Sequence, residues 1–252
     1  MEAGRLAWRD RLALAAQRAI GRLLSPLWVP LAVALMHFGL RWQIEGSAAT
    51  RRQFRALVQT DDGPLVLCGN HLTLIDSALI AWALGSPGWF LTHYATLPWN
   101  VPERQNFAQS FASRILVYVM KCIPVTRGGD RDEVAAVLNR LVHLLQRGEA
   151  VLIFPEGGRS RSGRVDVENA TYGVGQMIGM LPRCRVLCVY LRGEHQHSWG
   201  DLPPRGERFR VRLECLQPTS DLKGLRAARD VTHQIVHTLG RLEQQHFAEM
   251  RQ

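Results

Sequence analysis

The chain has 252 residues, 46% hydrophobic and 21% charged, which suffices for one sizeable core and excludes a disordered chain. Its formal charge of +9 suits an anionic membrane, a phosphorylated small molecule or nucleic acid equally, and almost all of it is arginine, with lysine only at Lys121 and Lys223. No helix-turn-helix, zinc-finger or aromatic RNA-binding signature accompanies that charge, so no nucleic-acid partner is expected; the five cysteines form no CxxC pair and read as buried free thiols with no metal site.

In chain order, the first feature is apolar. Residues 23–40 contain no Asp, Glu, Lys or Arg, a run that reaches the lower length limit for a spanning helix. Pro26 and Pro30 interrupt it. Arginines stand on both sides, at Arg5, Arg9, Arg11, Arg18 and Arg22 before it and Arg41, Arg51, Arg52 and Arg55 after it, which fits poorly with a single crossing. The pattern predicts a helical hairpin dipping into one leaflet from the cytoplasmic side, a buried core helix being the alternative. The apolar run begins late and no small-residue cleavage site follows, so a removed signal peptide is not expected.

Beyond Ile44, strand-length apolar runs alternate with amphipathic helical patterns, the signature of an α/β domain. Strands are predicted at 64–68, 89–93, 122–125, 150–154, 186–191 and 209–216. The clearest helix is opened by Asp130 with Glu133 as a capping-box partner and carries Val134, Val137, Leu138, Leu141, Leu144 and Leu145 on one face. A last helix spans about 222–246. The expected organisation is a basic and apolar membrane-associating segment over 1–45 and a catalytic domain over 46–252, with no internal repeat.

Three segments carry candidate chemistry. In PLVLCGNHLTLID a strand gives way to a helix, with His71 and Asp76 five residues apart. On an uninterrupted helix that offset turns the side chains about 140° apart. With His71 in the loop and Asp76 in the first turns of the helix, the carboxylate reaches one ring nitrogen and leaves the other to take a proton, although an Asp at a helix start beside an unremarkable His is the common alternative. In FPEGGRSRSGR, Pro155 ends a strand, and Gly157 and Gly158 allow close backbone approach. Arg159, Arg161 and Arg164 follow, able to grip a phosphate with Glu156 pre-paired beside them, a solvated polar surface loop being the alternative from this segment alone. In IPVTRGG, Arg127 closes a strand-like run where an α/β sheet meets its ligands, a capping or surface arginine being the equal alternative from this segment alone.

Taken in order, NHLTLID (70–76), IPVTRGG (123–129), FPEGGRSRSG (154–163) and VLCVYLRG (186–193) resemble the four motif blocks of the glycerolipid acyltransferase superfamily, over roughly residues 65–193. The resemblance implies a mixed central sheet flanked by helices, often with an N-terminal membrane-dipping helix pair. It implies His71 and Asp76 as the catalytic pair, and Arg127, Glu156, Gly157 and Arg159 as acceptor-phosphate residues, joined here by Gly158 and Arg161. No cofactor is implied; the acyl group comes from coenzyme A or acyl carrier protein. Two positions depart from the pattern: Lys121 stands where the second block usually has glycine, and Gly158 where lysophosphatidic acid acyltransferases usually have threonine.

The expected activity is therefore acyl transfer from a thioester to a hydroxyl of a glycerolipid precursor at the inner (cytoplasmic) membrane, with the domain facing the cytoplasm and His71 as general base. Specialised lipid or polyene-pigment acceptors are the alternative within the superfamily. A serine hydrolase using Ser160 or Ser162 lacks the G-x-S-x-G elbow. A non-catalytic basic membrane-binding protein is the rival from another class.

Overall fold

The computed structural model describes residues 6–60, 63–107, 110–126, 128–168 and 170–251, without the side chains of Asn106 and Phe107. LVLCG and the VLCVYL of RVLCVYLRG are continuous apolar runs, suited to strands covered on both faces, and they form β2 (Leu65–Gly69) and β5 (Arg185–Gly193), buried throughout. RFRVRLECL alternates arginine with apolar residues and forms the half-buried β6 (Arg208–Leu216). With β1 (Gln43–Ile44), β3 (Trp99–Asn100) and β4 (Val151–Ile153) they make one sheet in the order β1-β6-β5-β2-β4-β3. Only the β5–β6 pair is antiparallel. This is the mixed α/β sheet expected.

Strand alternation divides the core into two layers. Val66 and Cys68 of β2 join α7 (Arg131–Gln146), α8 (Gly173–Ile178) and α9 (Gly224–Met250) on one face. Leu65 and Leu67 join α2 (Ser47–Thr60) and α3 (Asp76–Leu84) on the other. All five cysteines are free; Cys122 is half-buried and Cys215 exposed rather than buried.

Four local expectations are corrected. Residues 89–92 lie in a helix, α4 (Pro87–Thr92), capped by Ser86 and started by Pro87, with His93 just past its end; a five-residue apolar run does not carry enough period to separate helix from strand. The 122–125 segment makes only isolated bridges, Asn100 with Cys122 and Glu103 with Val125, because Pro124 has no N–H to continue a ladder. Asp130 precedes α7 but makes no side-chain cap, and Glu133 instead accepts from Thr126 Oγ1 (3.1 Å) and from Arg104 (3.0 Å) at the start of the short helix α5 (Arg104–Phe107).

The fourth correction is the N-terminus. In place of a hairpin there is one helix, α1 (Trp8–Ala34), continued by a π-helical turn at Leu35–Gly39. Pro26 deprives the carbonyl of Arg22 of its usual donor, and the Ser25 hydroxyl supplies one at 2.7 Å. One side of α1 packs on the domain through Leu14, Gly21, Ser25 and Val29. Gly21 is needed there: a Cβ would lie 2.6 Å from Tyr94 Oη and 2.8 Å from the Val119 carbonyl oxygen. The opposite ridge, Leu23, Leu27, Leu31 and Leu35, is exposed, Leu23 by 78%.

A buried ionic cluster ties α1 to the sheet. Glu149 accepts from Lys121 Nζ (2.7 Å) and Trp99 Nε1 (2.9 Å) and pairs with Arg18 of α1. Lys121 Nζ also donates to the carbonyls of Tyr94 (3.0 Å) and Leu97 (2.6 Å). Burial alone would raise the Glu149 carboxyl, but Lys121, Arg18 and Trp99 together outweigh it and hold the group below the ordinary carboxylate value. Lys121 has φ +56°, the left-handed region that favours glycine, so its three hydrogen bonds hold a strained residue where the superfamily usually has none to hold.

Candidate active site

β2 and β4 are parallel neighbours with Cys68 opposite Ile153, so the chain leaves both strands at the same edge of the sheet. That edge, at the carboxyl ends of parallel strands, is where open α/β sheets hold ligands. The register therefore sets HLTLID beside PEGGRS. Asn70 fastens the turn to β5, donating from Nδ2 to Leu191 O (3.0 Å) and accepting from Leu191 N–H at Oδ1 (2.8 Å).

His71 and Asp76 meet as the sequence predicts. The His71 Nδ1 to Asp76 Oδ2 distance is 3.0 Å, with Asp76 at the start of α3. The same carboxylate accepts the N–H groups of Leu72 (2.5 Å) and Thr73 (2.7 Å) and the Thr73 hydroxyl, so the carboxylate is fixed before it meets the ring. Phe154, on β4's exit, stacks on the imidazole with centroids 4.0 Å apart and planes 12° apart. One ring face and Nδ1 are thereby held, and among the described residues none bonds Nε2.

Glu156 is not paired with the arginines of its own turn. Its Oε1 accepts the His71 N–H (3.1 Å) and its Oε2 the Asp166 N–H (3.2 Å), while Ser160 N–H donates to the His71 carbonyl (2.8 Å). The peptide flanks of His71 are thus held from both sides by the 154–166 turn. Burial raises the Glu156 carboxyl to about 7, against the two N–H donors that lower it. Because its folded pKa lies above its ordinary value, folding takes up a proton between pH 4.5 and about 7, and stability is lost as pH rises through that window. Glu156→Gln is expected to flatten the stability–pH curve there, checked by urea unfolding at both ends of the window; an unchanged slope would mean that Glu156 is not the titrating group.

Gly157 takes φ +67°, and a Cβ there would sit 2.3 Å from Thr171 Cγ2. Its N–H is spent on Phe154 O (3.0 Å). Gly157 and Arg159 line one cavity with His71; Gly158 and Arg161 do not, and Arg161 is exposed. Arg159 donates from Nη1 to Gly200 O (2.7 Å) and Asp201 Oδ1 (2.6 Å), and its guanidinium lies 4.8 Å from the Trp199 ring centre. Arg164 turns away to Glu243 of α9 (3.0 Å). Arg127 lies outside the described residues.

Sequence reasoning missed the clamp on this turn. Glu243, buried on α9, accepts from Val165 N–H (3.2 Å) and Tyr190 Oη (3.3 Å), and Arg192 donates to Gly163 O (2.6 Å). A helix period marks Glu243 only as a polar residue on an otherwise apolar side. The cavity itself has a volume of about 650 Å³. It runs from His71 past Ala78 and Ala81 of α3 to Trp28 and Val29 of α1 and to Leu116 and Met120 of α6 (Phe111–Val119) and its C-terminal end. Its walls are mainly apolar, with His71, Asn100, Glu103, Thr126 and Arg159 among the few polar groups that line it.

A carboxylate-oriented histidine at the strand ends, opening on an apolar cavity, is a layout suited to catalysis in an α/β fold. A family model described as Acyltransferase matches residues 43–191, more than half of the chain, and the protein belongs to that family, the glycerolipid acyltransferases. No curated protein matches the chain. The match ends at Leu191, before the Trp199–Asp201 segment and α9.

Proposed function

We propose that this acyltransferase moves a fatty acyl group from acyl-coenzyme A or acyl carrier protein to a hydroxyl of a glycerolipid precursor, of which 1-acyl-sn-glycerol-3-phosphate is the type. The observation that carries the reading is the 3.0 Å His71–Asp76 contact at one end of a 650 Å³ apolar cavity. The acyl chain lies in the cavity and brings its thioester to His71. Nε2 removes the hydroxyl proton as the oxygen attacks the thioester carbonyl carbon, and Asp76 stabilises the imidazolium. The tetrahedral oxyanion collapses, the C–S bond breaks, and the thiolate leaves with the proton from His71. Arg159, with Arg127, serves the acceptor's phosphate, while the exposed Arg161 lies outside the cavity. The test is a screen of lipid hydroxyl acceptors, with and without phosphate, against both thioesters in detergent. Ester formed on a phosphate-bearing glycerolipid supports the reading, and ester formed only on acceptors without phosphate overturns it.

The same reading sets the enzyme on the cytoplasmic face of the inner membrane. α1 is long and apolar enough to cross a bilayer. Its inner side is tied to the domain by Gln17 (3.0 Å to the carbonyls of Tyr118 and Cys122) and Arg18, which favours lying flat with the Leu23–Leu27–Leu31 ridge in the headgroup boundary. Leu27→Glu with Leu31→Glu is expected to weaken binding to anionic vesicles by about tenfold or more, read by co-sedimentation. Binding equal to that of the parent protein would remove α1 as the contact.

A further inference from the structure

Among the described residues, Arg159 is the cation that shares the cavity with His71, and it is already engaged. Asp201 Oδ1 lies 2.6 Å from its Nη1, the Gly200 carbonyl 2.7 Å from the same nitrogen, and the Trp199 ring beneath its guanidinium. The segment that brings these groups is docked by its backbone. Gly200 N–H donates to Leu72 O (3.0 Å) and Leu74 N–H to Asp201 O (3.1 Å), so its main chain is bonded directly to the loop that follows His71. Asp201 therefore stands at a fixed place beside the reacting group. The two side chains of the pair differ, however. The Arg159 side chain is 21% exposed and held at three points, whereas that of Asp201 is 75% exposed and makes one contact. The carboxylate can swing into water at small cost while the guanidinium stays in place.

Resting on the acyl-transfer reading above, we propose that Asp201 is an intramolecular competitor for the acceptor's anionic group, occupying Arg159 until the substrate's phosphate displaces it. A phosphate offers a bidentate partner to the guanidinium, against the single bond made by Asp201. The carboxylate keeps Arg159 oriented towards the cavity and lowers the affinity of the site for free inorganic phosphate. Asp201 thereby sets how strongly acceptor charge is rewarded.

The test is steady-state kinetics of Asp201→Asn in the full-length enzyme with 1-acylglycerol-3-phosphate as acceptor and inorganic phosphate as inhibitor. The expected result is a KM for the acceptor lower by roughly fivefold, the upper end of what an exposed ion pair is worth, with the phosphate concentration for half-inhibition lower by a similar factor. In an Arg159→Ala background the same substitution is expected to change neither. Unchanged or raised KM and unchanged phosphate inhibition in Asp201→Asn would overturn the proposal, as would an equal effect in the Arg159→Ala background. Should the parent enzyme acylate no phosphate-bearing acceptor, the acyl-transfer reading fails by itself. Phosphate titration followed by thermal unfolding then decides the ion pair separately: stronger stabilisation of Asp201→Asn than of the parent supports competition at Arg159, and equal stabilisation overturns it.

Discussion

Replacing His71 by alanine is expected to lower kcat by about 10²–10⁴-fold, the usual contribution of a positioned general base, while leaving the fold intact. The second half of that expectation follows from the neighbours. Without the imidazole, Asp76 keeps two backbone N–H donors and the Thr73 hydroxyl, so no buried carboxylate is orphaned, and the vacated ring space adjoins an existing cavity. The Asp76 carboxylate acts on chemistry through His71. Asp76→Asn is therefore expected to cost much activity alone and little in a His71→Ala background. Circular dichroism and urea unfolding check the fold, and release of free thiol from acyl-coenzyme A checks the rate. A His71→Ala enzyme within a few-fold of the parent would remove the base from the mechanism.

Glu149→Ala is expected to have the largest effect on stability, a loss of about 3–5 kcal/mol. Lys121 is fully buried, and Glu149 is its only anionic partner among the described residues. Removing the carboxylate leaves an ammonium with two carbonyl acceptors, frees the Trp99 indole N–H and breaks the Arg18 tie that holds α1. Glu149→Gln is expected to lose less, because the amide oxygen still accepts a hydrogen bond. Urea unfolding with a common slope measures both; a loss below about 1 kcal/mol for Glu149→Ala would show that Lys121 finds water or deprotonates.

The parts of the site that were legible in the sequence are those made within a few residues. His71 and Asp76 lie on one loop-to-helix turn, and Glu156, Gly157 and Arg159 on one strand-to-turn, so local spacing carried their chemistry. What each residue touches depends on pairing across the sheet. Glu156 reads as a partner for its neighbouring arginines, yet the β2–β4 register delivers it to the His71 N–H instead, and Arg159 meets Asp201 through a segment beyond every motif. Glu243 acts on the turn from a helix nearly eighty residues later, a distance at which periodicity says nothing about partners. Lys121 was visible as a departure from glycine, but its burial and positive φ were not.

The fold was legible where runs were long and unambiguous, as in β5, β6 and α7. It was not where a short apolar run had to be assigned by length. The WFLT run in α4 reads as a strand unless Ser86 and Pro87 are weighed as a helix start. At the N-terminus two prolines argue for a break, and tertiary packing with the Ser25 hydroxyl overrides them.

The central claim is that His71 passes an acyl group directly from a thioester to a lipid hydroxyl. Its most direct test is to count, in one reaction of the purified enzyme with acyl-coenzyme A and 1-acylglycerol-3-phosphate, the free thiol released and the ester formed. The account predicts one ester for each thiol in the parent enzyme and neither above background with His71→Ala. Thiol released without ester, or ester formed equally well without His71, would contradict it.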